Sequence, residues 1–220
     1  MMRLDKLLAA RTGMTRSESR KAIAKGRVTV AGAVCKQADA QVDEAAALAL
    51  DGAPLAGAYQ KYVYIMLNKP AGVVSASRDK RDTTVADLVA AAYPRRQLFP
   101  AGRLDKTSTG FVLLTDDGAL AHDLLAPAHH VEKVYLVTLA DGQTLAPALA
   151  EPAGADPCLV RVTLRQGVYH QIKRMFGVFG AGVNALHRES IGGVALDGAL
   201  APGQYRELTQ AELAALQNWR

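Results

Sequence analysis

The sequence predicts an α+β protein in two domains, residues 1–58 and 61–220. Two helix signatures crowd the start of the chain and give way to a short β-ribbon pattern. Beyond residue 61, apolar runs of strand length alternate with capped helical stretches. Between the two lies Asp51-Gly-Ala-Pro-Leu-Ala-Gly-Ala58, a small-residue stretch with one proline that reads as a linker.

With 220 residues, half of them hydrophobic, the chain can bury a substantial core. It has no apolar run of about eighteen residues, so no membrane span is expected. The charged opening Met1-Met-Arg-Leu-Asp-Lys6 is unlike a secretory signal. Cys35 and Cys158 stand alone, which gives neither a disulfide framework nor a zinc pattern, and a cytoplasmic location is expected. The net charge of +5 is unevenly spread. Residues 1–36 hold nine Lys and Arg against two acids, whereas residues 37–60 hold four acids and no base. A basic N-terminal module suits a polyanionic partner, although a solubilising surface would look the same.

In chain order, Leu4, Leu7 and Leu8 repeat at helical spacing, so a helix is expected near residues 3–11, broken by Thr12-Gly13. Thr15-Arg-Ser-Glu18 is a capping-box pattern that opens a second helix. Its Ser19, Ala22 and Ile23 share one face, flanked by Arg16 and Arg20 on one side and Lys21 and Lys25 on the other. Gly26 closes it, and Val28, Val30, Val34 and Cys35 read as a hairpin.

In the second domain, Tyr62 to Leu67 is a continuous apolar run that predicts a buried strand, with another starting at Val73-Val74. Thr84 and Asp87 are expected to cap a helix through Ala92, stopped by Pro94. Phe111 to Thr115 predicts a strand, Thr115-Asp-Asp-Gly118 a turn and helix cap, and Ala119 to Leu125 a helix. Glu132 to Leu139 predicts a strand with Tyr135, Val137 and Leu139 on one face. Residues 170–179 predict a helix with Ile172, Met175, Phe176 and Phe179 as its apolar stripe and His170, Lys173 and Arg174 on the other face, with Gly180 as its cap. Strands near 183–185 and 192–196 and a helix capped by Thr209-Gln-Ala-Glu212 complete the domain.

The stretch richest in chemistry is Gly102-Arg-Leu-Asp-Lys-Thr-Ser-Thr-Gly110. A lone carboxylate, Asp105, sits between Arg103 and Lys106 on a glycine-bracketed loop that leads into a strand. That arrangement suits a nucleophile or base acting on a polyanion, and equally a surface loop with a local ion pair. Lys173 either reaches that carboxylate or belongs to a solvated cationic face. The histidines His122, His129, His130, His170 and His187 lack metal-ligand spacing. No metal and no cofactor are expected, since Walker and dinucleotide glycine fingerprints are missing too.

Gly102-Arg-Leu-Asp105 followed by Thr107-Ser-Thr-Gly110 resembles the catalytic signature of the RsuA-type pseudouridine synthases. The likeness continues in Arg3-Leu-Asp-Lys-Leu-Leu8, Leu67-Asn-Lys-Pro-Ala-Gly72, Glu132-Lys-Val-Tyr-Leu-Val-Thr-Leu139, Tyr169-His-Gln-Ile-Lys-Arg-Met175 and Leu186-His-Arg-Glu-Ser-Ile-Gly-Gly193. The resemblance implies an S4 RNA-binding domain followed by a catalytic domain on a mixed, mainly antiparallel sheet with flanking helices. It implies Asp105 as the catalytic acid, Tyr135 against the target base and Lys173 as the basic partner of Asp105. Arg103, Ile172, Arg174 and Lys69 are implied at the substrate, and Arg3, Arg16, Arg20 and Lys21 on the RNA-facing surface of the S4 domain. The segment from Ala140 to Asp156 departs from the family by being short and rich in Ala, Gly and Pro.

The implied activity is isomerisation of a uridine of ribosomal RNA to pseudouridine without a cofactor. Within the family the pattern is most similar to enzymes acting on 16S rRNA at uridine 516. The expected partner is 16S rRNA within a small-subunit precursor, and the expected state is a monomer. Enzymes acting on 23S rRNA and a non-catalytic rRNA-binding assembly factor are the alternatives. A carboxylate glycosidase would need a second acid paired with Asp105, and none is evident.

Overall fold

The computed structural model describes residues 1–55, 59–139, 150–156, 158–165, 170–178, 180 and 182–218. They form two compact units, Met1–Lys61 and Tyr62–Arg220.

In the first unit, helix Leu4–Thr12 buries Leu4, Leu7 and Leu8 and ends at Gly13, whose left-handed backbone lets its N–H reach the Ala9 carbonyl. Thr15 and Glu18 form the reciprocal capping box of helix Arg16–Ala24, which buries Ser19, Ala22 and Ile23. Beside the helices runs an antiparallel sheet in the order Ala33–Val34, Val28–Val30, Leu48–Leu50, Ala53–Pro54. The linker expected over residues 51–58 is therefore corrected in its first half. Asp51-Gly52 is the turn of a hairpin between the last two of these strands. Both turn residues have positive φ, the conformation a tight hairpin turn requires. Residues 56–58 lie outside the described residues.

The second unit is built on a mixed, mainly antiparallel sheet. Its strands run in the order Ala150–Pro152, Leu159–Leu164, Lys133–Leu139, Val183–Ile191, Thr109–Thr115, Tyr64–Lys69, Tyr205–Glu207. Only Val183–Ile191 and Thr109–Thr115 pair in parallel among these neighbours. Both faces are covered. Ile65, Leu67, Val112 and Leu114 point into one core with Ile172 and Phe176 of helix Gln171–Val178. Met66, Phe111 and Leu113 point into the other with Leu120 and Leu124 of helix Gly118–Leu125 and Leu216 of helix Gln210–Gln217. Burial on both faces is why the two central strands read as unbroken apolar runs. Strand Lys133–Leu139 instead alternates, with Tyr135, Val137 and Leu139 buried.

Two expectations fail locally. Val73-Val74 does not open a strand; Val74 makes a single bridge to Thr84. The helix from Thr84 to Ala92 shrinks to one 3₁₀ turn, Asp87–Val89, although Thr84 and Asp87 do exchange the capping hydrogen bonds. Val85 and Val89 bury, but Ala90, Ala91 and Ala92 are exposed, so nothing apolar rewards further helical turns. Phe179 and residues 140–149 of the short segment lie outside the described residues, while Ala150–Pro152 is an edge strand.

Gly110 shows how closely the parallel pair approaches. A Cβ there would stand 2.3 Å from the Arg188 carbonyl oxygen and 2.6 Å from its nitrogen, at a φ of +101°. Gly72 shares a positive φ but has open space around it. Gly110→Ala should therefore lower the unfolding free energy by about 3 kcal/mol or more, through strain and overpacking together. Gly72→Ala should cost about 1 kcal/mol, through backbone strain alone. Urea denaturation of the two variants measures the difference.

Candidate active site

The loop from Gly102 to Ser108 has little regular backbone pairing, yet five of its seven carbonyls find a donor. Arg188 Nη2 donates to the Arg103 carbonyl at 2.9 Å. Ser75 Oγ donates to the Leu104 carbonyl at 2.9 Å and accepts from the Leu104 N–H at 3.1 Å. The Ser108 N–H closes a turn onto the Asp105 carbonyl. Lys69 Nζ donates to the carbonyls of Ser108 at 2.7 Å, Lys106 at 3.3 Å and Pro70 at 3.0 Å. The Gly72 N–H also reaches the Lys106 carbonyl. A loop whose polar groups are met from behind is a rigid platform for the side chain at its centre.

That side chain is Asp105, about one-third exposed. Lys173 Nζ stands 3.1 Å from its Oδ2 and His170 Nε2 stands 3.3 Å from its Oδ1. Both partners come from the start of helix Gln171–Val178. His170 precedes the helix with a φ of +51°, a left-handed conformation that few non-glycine residues adopt. The structure thus brings Asp105 and Lys173 together and adds His170, which the motifs do not single out. Its place three residues before Lys173, on the same face of the helix predicted over residues 170–179, is the signal that points to it.

Ile172 is buried in the same apolar cluster as Tyr135 and Leu104. Tyr135 is largely buried, and among the described residues its hydroxyl makes no hydrogen bond to Asp105. Tyr135 meets the loop instead through Arg188. This buried guanidinium lies 5.3 Å from the Tyr135 ring centroid while holding the carbonyls of Arg103 and Phe111. Nothing in the strand motif around Arg188 distinguishes it from a surface arginine, so sequence reasoning misses it too. Arg103 and Arg174 have exposed side chains.

Lys69 is a correction. Expected at the substrate, it has no exposed surface, and its ammonium is directed at three backbone carbonyls. Burial pushes it down to about 8, with the nearby Asp105 charge opposing and Arg188 adding to the shift. At neutral pH it remains an ammonium with three donors for three acceptors. In the first unit, Arg3, Arg16 and Arg20 are half-exposed but all bonded to Asp5, whereas Lys21 is exposed. Among the described residues no group of three His, Cys, Asp or Glu is placed to hold a metal ion.

A family model described as RNA pseudouridylate synthase matches residues 63–177, and the S4 domain model matches residues 2–47. The chain belongs to the RNA pseudouridylate synthase family. This synthase is of the RsuA type, with an S4 domain ahead of the catalytic one. It is 42% identical to the ribosomal small subunit pseudouridine synthase A of Salmonella typhimurium, over 98% of this chain and all of that one. It is 41% identical to an uncharacterized RNA pseudouridine synthase, YtzG, of Bacillus subtilis, over 98% of each chain. A crystal structure of a pseudouridylate synthase superposes with a TM-score of 0.62 at 37% identity, covering 98% of this synthase and all of that chain.

Replacing Lys69 by Met should cost about 2–4 kcal/mol at pH 7, because loop carbonyls lose their buried donor. The pH dependence has a definite sign. Lys69 sheds its proton near pH 8 when folded but near 10.5 when unfolded, so unfolding in that window takes up a proton. The stability advantage of wild type over Lys69→Met should grow as pH rises from about 8 to 10.5, by at most about 1.4 kcal/mol per pH unit. Paired denaturant titrations across that range measure it.

Proposed function

We propose that this synthase converts a uridine of 16S rRNA, the family position 516, to pseudouridine, with Asp105 as the reacting carboxylate. The observation that carries this reading is the placement of Asp105, held through both oxygens by Lys173 and His170 on a loop fixed from behind. The small-subunit name of the 42% identical relative supports the choice of RNA.

Pseudouridine is an isomer of uridine. The N1–C1′ bond breaks, the base turns, and a C5–C1′ bond forms while the C5 proton is lost and N1 gains one. Nothing is oxidised or hydrolysed, so the reaction consumes no cofactor. An ionised Asp105 attacks carbon, or withdraws a proton from the sugar on a path through a glycal. The adjacent Lys173 ammonium holds its orientation. The uridine must first leave its stack, at a cost of a few kcal/mol. The exposed Arg103 beside the acid fills the vacated space or takes a phosphate, and Arg174 takes a second phosphate. Tyr135 and Ile172 form the apolar wall for the extruded base, with Tyr135 available to move a proton. The partner is 16S rRNA within a small-subunit precursor, bound by a cytoplasmic monomer.

Asp105→Asn should reduce isomerisation by at least about a thousandfold while leaving RNA affinity within a few-fold of wild type. Single-turnover assays with binding titrations of the same variant test this. Mapping pseudouridine on both large rRNAs from cells lacking the gene tests the substrate. Loss of one 16S mark is expected, and loss of a 23S mark with 16S intact would overturn the choice of 16S.

A further inference from the structure

A second carboxylate sits among cations in the S4 unit, and the proposed chemistry does not use it. Asp5 lies in the first turn of helix Leu4–Thr12, and its side chain has no exposed surface. Arg3 reaches Asp5 Oδ1 through Nε at 3.2 Å and Oδ2 through Nη2 at 3.4 Å. Arg16 Nη2 bridges both oxygens at 3.1 and 2.9 Å, and Arg20 Nε donates to Oδ2 at 3.0 Å. Arg16 and Arg20 stand one turn apart on helix Arg16–Ala24, so one carboxylate serves both. The three arginine side chains remain 44%, 49% and 55% exposed.

One arginine would neutralise Asp5; three leave the cluster with two positive charges in excess. Three like charges this close repel one another, and three long side chains lose rotamer freedom by converging. A stabilising ion pair requires neither. The surplus suits an anionic ligand. Each guanidinium has five N–H donors, and Asp5 occupies only one or two nitrogens of each. The rest are planar donor arrays on half-exposed groups, matched to phosphate oxygens.

We propose that Asp5 is a positioning residue that gathers Arg3, Arg16 and Arg20 into one clamp for an RNA phosphodiester. The inference rests on the reading that this S4 unit docks ribosomal RNA. Burial pushes the Asp5 carboxyl up, but the hydrogen bonds from Arg3, Arg20 and Arg16 outweigh it and hold the group well below the usual carboxylate range. The carboxylate therefore stays charged wherever RNA is bound.

Charge alone and organisation predict opposite signs for Asp5→Asn. The variant removes a negative charge, so an unorganised basic surface would bind RNA more tightly, with a steeper dependence on salt. Without the clamp, binding instead weakens about tenfold at moderate salt. The log–log salt slope also flattens, by about 0.7–0.9 for each phosphate no longer neutralised. The experiment titrates full-length wild type and variant with a 16S rRNA transcript over a range of salt. Amide exchange across Leu4–Thr12 checks that the variant keeps its helix. A protected helix with weaker, flatter binding supports the clamp; equal or tighter binding overturns it. Should the helix lose protection, Arg16→Lys with Arg20→Lys decides, since it keeps both charges and a cation at Asp5 but removes the planar forks. About a fivefold loss of affinity is then expected, and unchanged affinity overturns the clamp. A wild-type protein with no affinity for the transcript overturns the docking reading along with the role of Asp5.

Discussion

Buried cations hold the backbone that carries Asp105. Lys69 and Arg188 direct their donors at the carbonyls of Arg103, Lys106, Ser108, Pro70 and Phe111. Burying an ammonium and a guanidinium is costly, and hydrogen bonds to neutral carbonyls offset only part of that cost. What the arrangement gains is shape. A loop cannot pair like a strand, because its carbonyls point in several directions; a side chain with three or five donors can meet several at once. Both cations also leave positive charge behind the loop that carries Asp105.

The sheet supplies the other half of that constraint. Lys69 ends the strand Tyr64–Lys69, and Arg188 lies within Val183–Ile191, on either side of Thr109–Thr115. The three strands thus converge on the same stretch of loop, from positions more than a hundred residues apart in the chain. Gly110 is what permits the closest of these approaches. The rigidity of the site is accordingly a property of the sheet's strand order and not of the motif that bears the carboxylate.

That distinction explains what can be read from the sequence. Capping signals are reliable: both capping boxes, at Thr15 and Thr209, close as their spacing suggests, and Asp117 caps the helix that follows it. The Asp105–Lys173 contact follows from resemblance and helical phase together. The place of Lys69 does not, because periodicity reveals which face a side chain occupies and says nothing of carbonyls converging from 37 and 39 residues away. Arg188 escapes notice for the same reason, its loop partner being 85 residues distant. The linker expectation fails because Asp51-Gly52, flanked by small residues, serves equally well as a hairpin turn. Short strands with few apolar side chains carry little periodic signal.

Two aspartates in this chain are each surrounded by cations, and burial separates their uses. Asp5 is fully enclosed, and five hydrogen bonds from three arginines fill its lone pairs. Such a carboxylate has no room to react; its charge acts only through the groups it gathers. Among the described residues, Asp105 has one basic side chain beside each oxygen, and one-third of its own side chain still meets solvent. With up to two lone pairs on each oxygen, it is oriented without being saturated. A partly satisfied carboxylate is a poor structural anchor and a suitable reactive group, because an incoming atom meets electron density that no protein donor already occupies. The same pairing of acid and base thus encloses one carboxylate and leaves the other open to an incoming atom, and the deciding variable is how much of the carboxylate the fold leaves uncovered.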